Sequence, residues 1–199
     1  MFEKEYAANL SYWGDEPSAI VRDYASRLHR YTVLDIGAGD GRNTLYLASL
    51  GFTVSALDIS KQGLQNITTK ASQRGLEANI DTIHEDITTY ELPTKYDNVI
   101  TNFALHFVGS AAIDQCMQKI ADHTHSGGLN IVSDFTRDGP LAESPENYIT
   151  QDRLHQFYQE RSWEILHSMV DPVKTKRLDA DGQHLEHDAV VFVARKSRS

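Results

Sequence analysis

Val33-Leu34-Asp35-Ile36-Gly37-Ala38-Gly39-Asp40-Gly41-Arg42-Asn43 runs a short apolar strand straight into three glycines at alternate positions, and a helical pattern follows. Glycine reaches backbone conformations closed to other residues, so such a junction turns sharply and lets the backbone approach a ligand closely. The helix beyond points its positive end at the same place. A dinucleotide fingerprint would need Gly-x-Gly-x-x-Gly. Counted from Gly37 the third glycine position is Arg42, and counted from Gly39 it is Thr44. Spacing therefore excludes the dinucleotide pattern. Asp35 on the strand end and Asp40 inside the turn would repel a pyrophosphate and suit a cationic or amine-bearing ligand.

S-adenosylmethionine, with a sulfonium and an ammonium, meets that requirement. The turn then predicts cofactor contacts from Asp35, Gly37, Ala38, Gly39, Arg42 and Asn43. A βαβ unit places an acid roughly 20 residues beyond the glycines to accept from ribose hydroxyls. Asp58 closes the strand Phe52–Leu57 at that distance, with Ile59 behind it and Ser60 placed to cap the next helix. A third strand, Asn79–His84, leads to Asp86 and Ile87, a pair suited to an adenine amino group and ring face. Tyr96–Asn102 reads as a fourth strand whose end, Asn102-Phe103 to His106, lies beside the glycine turn where strand order reverses. Tyr12 and Trp13 are placed to fold over the methionine end or to pack the first helix, around Ile20, Val21, Tyr24 and Leu28 with Pro17 in its first turn.

A helix over Ala111–Asp122, a turn at Gly127-Gly128 and a fifth strand, Leu129–Phe135, continue the alternation. The loop from Arg137 to Glu146, with Gly139, Pro140 and Pro145, crosses the top of the sheet. After a helix near Asp152–Gln159 come two strand-like runs, Trp163–Val170 and Ala189–Ala194. An Asp-Gly hairpin signal at Asp181-Gly182 lies between them. The pattern is α/β, a doubly wound, mostly parallel Rossmann-like sheet with an antiparallel C-terminal strand. One domain covers 1–199: a helical lid segment over 1–30, a cofactor-binding core over 31–135, and a substrate loop with closing strands over 136–199.

The segment Val33 to Ala48, with its Gly-Arg-Asn-Thr-Leu-Tyr-Leu-Ala continuation, resembles the first motif of the tellurite-resistance family of class I S-adenosylmethionine methyltransferases. Tyr158–Trp163, the Asp179-Ala180-Asp181-Gly182 turn and the Ala194-Arg195-Lys196 ending are similar too, so the likeness spans most of the chain after about Thr32. The resemblance implies methyl transfer to a small, soft nucleophile such as a tellurium or selenium oxyanion. Family members carry His-Arg before an Asp-Ala-Asn-Gly turn and an Arg two places after its glycine, basic groups suited to an oxyanion. Lys176-Arg177 and His184 stand there in this chain. Arg177 and His184 are thus the acceptor-site residues that the resemblance implies.

Methyl transfer draws most of its catalysis from alignment and water exclusion. His106 is the candidate general base for a protic acceptor, against a packing role in the run Phe103–Val108. Lys174, Lys176 and Arg177 bind an oxyanion or form a solvated face. A binding protein without turnover is the alternative function.

The remaining features bound the partners. A net charge of −9 over 199 residues disfavours nucleic acid, which is bound through clustered Lys and Arg. No run approaches the roughly 20 apolar residues of a membrane span, and Met1–Tyr6 lacks a signal-peptide pattern. The expected setting is cytoplasmic, which suits the lone Cys116, a core residue of its helix. His184-Leu185-Glu186-His187 is one residue short of a His-x-x-Glu-His zinc pattern, and His123-x-His125 lacks a third ligand at metal spacing, so no metal is expected. The partner is a small molecule, and no pattern specifies an oligomeric state.

Overall fold

In the computed structural model, which describes residues 2–136 and 148–198, one seven-stranded sheet runs in the order β3-β2-β1-β4-β5-β7-β6. Its strands are β1 Thr32–Ile36, β2 Thr53–Asp58, β3 Ile80–His84, β4 Tyr96–Asn102, β5 Thr124–Phe135, β6 Glu164–Leu178 and β7 His184–Arg195. The helices are α1 Glu3–Ala8, α2 Ala19–Tyr24, α3 Arg42–Ser49, α4 Lys61–Arg74, α5 Ser110–Asp122 and α6 Gln151–Glu160. Strands β1 to β5 pair in parallel. β7 runs antiparallel between β5 and β6. Order reverses between β1 and β4, as the alternation of strands and helices predicts.

Neighbouring strand residues point to opposite faces, and β1 shows what covers each. Leu34 and Ile36 join a cluster with Ile113, Met117 and Ile120 of α5 and Leu154 and Tyr158 of α6. Val33 joins the other, with Ile20 and Val21 of α2 and Leu47 and Ala48 of α3. Ala56 of β2 meets Leu64 and Ile67 of α4. The strands are therefore apolar on both faces, as helix-covered parallel strands must be.

Local details depart from the sequence reading. Gly127 and Gly128 lie inside β5, in a bulge where pairing jumps from Tyr96↔Thr124 to Asn98↔Leu129. A Cβ on Gly128 would sit 2.0 Å from the Asp97 carbonyl oxygen, so the bulge admits only glycine there. β6 and β7 are much longer than their apolar runs. β6 is an edge strand, where Pro172 and solvent-facing charge are tolerated, so apolar content underreports its length. The helix expected around Ile20 is the second, α2, preceded by α1, and Pro17 lies outside it, before the N-cap Ser18. That helix closes at Tyr24 into a 3-10 turn, and Leu28 is already extended. The loop expected over Arg137–Glu146 lies outside the described residues. No helix among the described residues is long and apolar enough to cross a membrane.

Candidate active site

The ends of β1, β2 and β4 and the turn after β3 open into one crevice of about 1000 Å³. The glycine turn forms its floor. Gly37 and Gly39 have φ of 70° and 58°. A Cβ on Gly37 would lie 2.3 Å from Ala104 Cβ, and one on Gly39 would lie 2.8 Å from the Tyr6 hydroxyl. Gly63 of α4 is equally constrained, since its Cβ would meet the Gly39 carbonyl oxygen at 2.6 Å.

The N–H groups of the three glycines and of Ala38 are spent within the protein. Gly37 N and Ala38 N donate to the Leu57 carbonyl at 2.8 and 3.1 Å, and Gly41 N to the Ala38 carbonyl at 2.9 Å. Gly39 N donates to Asp58 Oδ2 at 2.8 Å. Asp58 Oδ1 also accepts from Ser60 N at 2.7 Å. Asp58 thus ties the turn to the start of α4, where Ser60 caps by accepting from Gly63 N.

Acceptors are left over instead. Asp40 is buried and takes the Trp13 N–H on Oδ2 at 2.9 Å, while its Oδ1 has no hydrogen-bond partner among the described residues. Asn102 Oδ1 is in the same state. Both residues line the crevice. Burial raises the carboxyls of Asp40 and Asp58 above the ordinary range, against the lowering effect of the N–H groups they accept. Carboxylates held at such a cost favour a cation beside them.

Trp13, Gly37, Ala38, Gly39, Arg42, Asn43, Asp58, Ile59, Asp86, Ile87, Asn102, Phe103, His106 and Arg177, all expected from sequence, line this crevice. Several are partly committed. Asn43 Oδ1 accepts from Ser18 N at 2.9 Å, and Asp86 Oδ1 accepts from the Thr88 N–H and hydroxyl at 2.8 and 2.7 Å. Ile87 packs in the core. Phe103 has φ of 56°, a strained value for a bulky residue and one that clusters at ligand sites. Two expected residues lie outside this lining. Asp35 does not line the crevice: it is 1% exposed beneath the turn and accepts from the Thr44 hydroxyl at 2.7 Å, bracing α3. His184 also stands outside the lining, with Nδ1 against the Thr175 carbonyl at 2.7 Å across the hairpin.

The N-terminal segment forms one wall. Trp13 Nε1 donates to the Tyr6 hydroxyl at 2.9 Å, and Asn66 Nδ2 of α4 donates to the Tyr6 carbonyl at 2.9 Å. Lys176 Nζ donates to the Tyr12 carbonyl and sits 3.8 Å from the centre of the Tyr12 ring. Lys174 and Arg177 stand on the same rim. The crevice is therefore acidic at the β1–β3 end and basic at the β6 end.

Sequence reading missed Tyr6, Gly63 and Asp134. Asp134 lies one residue before the end of β5, much as Asp58 ends β2, so a carboxylate near the end of an apolar strand was the available signal. Its side chain is buried and reaches His106. Tyr6 and Gly63 carried no local signal, since their partners are remote in sequence.

The family model described as tellurite resistance protein TehB matches residues 12–192. The probable S-adenosyl-L-methionine-dependent methyltransferase TehB of Haemophilus influenzae is 26% identical over 178 residues, 88% of this chain and 61% of that protein. Hemagglutinin 1 of Eikenella corrodens is 25% identical over 178 residues, 88% of this chain and 58% of that protein. The crystal structure of TehB from Haemophilus influenzae superposes with a TM-score of 0.84 at 24% identity, covering 98% of this chain and 66% of that one. The chain thus spans about three fifths of the length of the curated relatives it matches.

Proposed function

Because the chain belongs to the tellurite resistance protein TehB family, we propose that it transfers a methyl group from S-adenosylmethionine to a small, soft nucleophile in the crevice. The observation that carries this reading is the surplus of buried acceptors in the cradle: Gly37, Ala38, Gly39 and Gly41 spend their N–H groups within the protein, while buried Asp40 Oδ1 and Asn102 Oδ1 lack donors among the described residues. A ligand bearing an ammonium and a sulfonium supplies both the donors and the positive charge.

Asp58 would take ribose hydroxyls on its remaining lone pairs, and Asp86 with Ile87 would hold the base. Trp13 and Phe103 would close over the methionine end, with the glycine turn beneath it. Arg42 would balance the ligand's carboxylate. The sulfonium supplies an activated methyl and a good leaving group, so this chain contributes alignment and a dry site rather than a triad. The basic rim of Lys174, Lys176 and Arg177 suits an acceptor carrying negative charge, the tellurium and selenium oxyanions among them.

Calorimetry with S-adenosylmethionine and S-adenosylhomocysteine, followed by labelled-methyl transfer to tellurite, selenite and a thiol, tests the proposal. Heat with both ligands and label in at least one acceptor are expected. Asp58→Ala should weaken binding by about 10²-fold or more, the loss of two charge-assisted bonds. Absence of heat with either ligand refutes the reading.

A further inference from the structure

The tightest side-chain pair at the acceptor end is His106 with Asp134. His106 Nδ1 lies 2.5 Å from Asp134 Oδ1. Asp134 Oδ2 accepts from the backbone N–H groups of Leu105 and His106 at 2.8 and 3.2 Å, and Oδ1 also from Phe135 N at 2.8 Å. Asp134 is fully buried at the end of β5. Three N–H donors already converge on the carboxylate, so it meets the imidazole as an acceptor. In the neutral ring Nδ1 then carries the proton and Nε2 keeps a lone pair. That nitrogen makes no hydrogen bond among the described residues, and His106 lines the crevice with its side chain 10% exposed.

The surroundings are aromatic. The His106 ring centre lies 3.8 Å from that of Phe107, 5.1 Å from Phe135 and 6.1 Å from Tyr148, stacked on the last. Polarizable sulfur and its heavier relatives favour such rings. A histidine used only to fill space would not need a buried carboxylate fixing its tautomer.

We propose that the acceptor reaches the crevice with a proton on its reacting atom, as a thiol or selenol, and that His106 Nε2 removes it while Asp134 acts as the positioning residue. This rests on the methyl-transfer reading above. The acceptor's X–H proton passes to His106 Nε2. A lone pair on X forms the new X–CH₃ bond as the donor's S–CH₃ bond breaks, its electron pair going to sulfur. The imidazolium charge is balanced by Asp134, and the proton leaves to solvent. No oxidant or reductant is needed.

Two acceptors separate this from a spectator histidine: 2-mercaptoethanol, which must lose a proton, and dimethyl selenide, which has none to lose. Asp134→Asn must turn its amide N–H₂ toward either the backbone donors or Nδ1, and the second arrangement moves the ring proton to Nε2 and removes the base. Expected is a loss of about 10²-fold in kcat/KM for the thiol, with dimethyl selenide changed by less than about threefold. His106→Gln should show the same selectivity and serves if Asp134→Asn does not fold. Ring ¹⁵N spectra of the wild-type protein, without ligand, should place the proton on Nδ1 and leave Nε2 bare. A proton on Nε2, equal losses on both acceptors, or wild-type protein that methylates no thiol overturns the inference. In that last case, heat with S-adenosylhomocysteine leaves the methyl-transfer reading standing, and absence of heat overturns both.

Discussion

Asp35→Asn should relieve a strain that the fold carries only when the pH is above the titration range of this carboxyl. Asp35 is 1% exposed, and burial pushes its carboxyl up to about 6 from the ordinary 3.8, against the lowering effect of the Thr44 hydroxyl and with a smaller push from Asp58. Between those values the native chain binds more protons than the unfolded one, so stability falls as pH rises through the window. Above it the charged form is held at a cost. A carboxyl raised that far costs about 3 kcal/mol once fully ionised. Asparagine keeps an oxygen for the Thr44 hydroxyl and carries no charge, but it buries an amide N–H₂ at a cost of about 1–3 kcal/mol. That amide cost is the same at every pH. The stability difference between variant and wild type should therefore move by about 2.4 kcal/mol in favour of the variant from about pH 4 to about pH 8. Urea unfolding of both proteins at the two pH values measures it, and the raised carboxyls of Asp40 and Asp58, common to both, cancel. Parallel stability curves would refute the assignment of this strain to Asp35.

Gly37→Ala combines a φ of 70° with a Cβ 2.3 Å from Ala104 Cβ. It should destabilise the protein by about 2–4 kcal/mol and abolish the rise in melting temperature with S-adenosylhomocysteine; an unchanged rise would show that the turn does not hold the ligand. Lys176→Met removes an exposed cation 3.8 Å from the Tyr12 ring centre, so global stability should change by no more than about 1 kcal/mol. Chymotrypsin cleavage at Tyr12 and Trp13 should accelerate by about threefold or more as the segment loosens, and an unchanged rate would mean that the hairpin does not secure it.

The glycine turn, the carboxylate closing β2 and the alternation of strands with helices were legible because each is a local pattern set by backbone sterics or by periodicity. They led to the parallel order, the reversal between β1 and β4, and most of the crevice lining. The charge argument at Asp35 went astray because a strand-end acid can point into the ligand site or under the turn, and sequence spacing does not distinguish the two. β6 was underestimated for a related reason: its charged end extends by pairing with β7, Lys174 opposite Glu186 and Leu178 opposite His184, which charge patterning does not reveal.

By itself the sequence determined the class of fold and the place of the ligand turn, since glycine freedom and the side-chain periods of helix and strand act over a few residues. Only the tertiary structure decided which polar groups pair, Asp40 with the Trp13 N–H, Asp134 with His106 and Asp35 with the Thr44 hydroxyl, and which, such as Asp40 Oδ1 and Asn102 Oδ1, are left over. Hydrogen bonds form between groups that packing brings within about 3 Å, and no local rule states in advance which groups those will be.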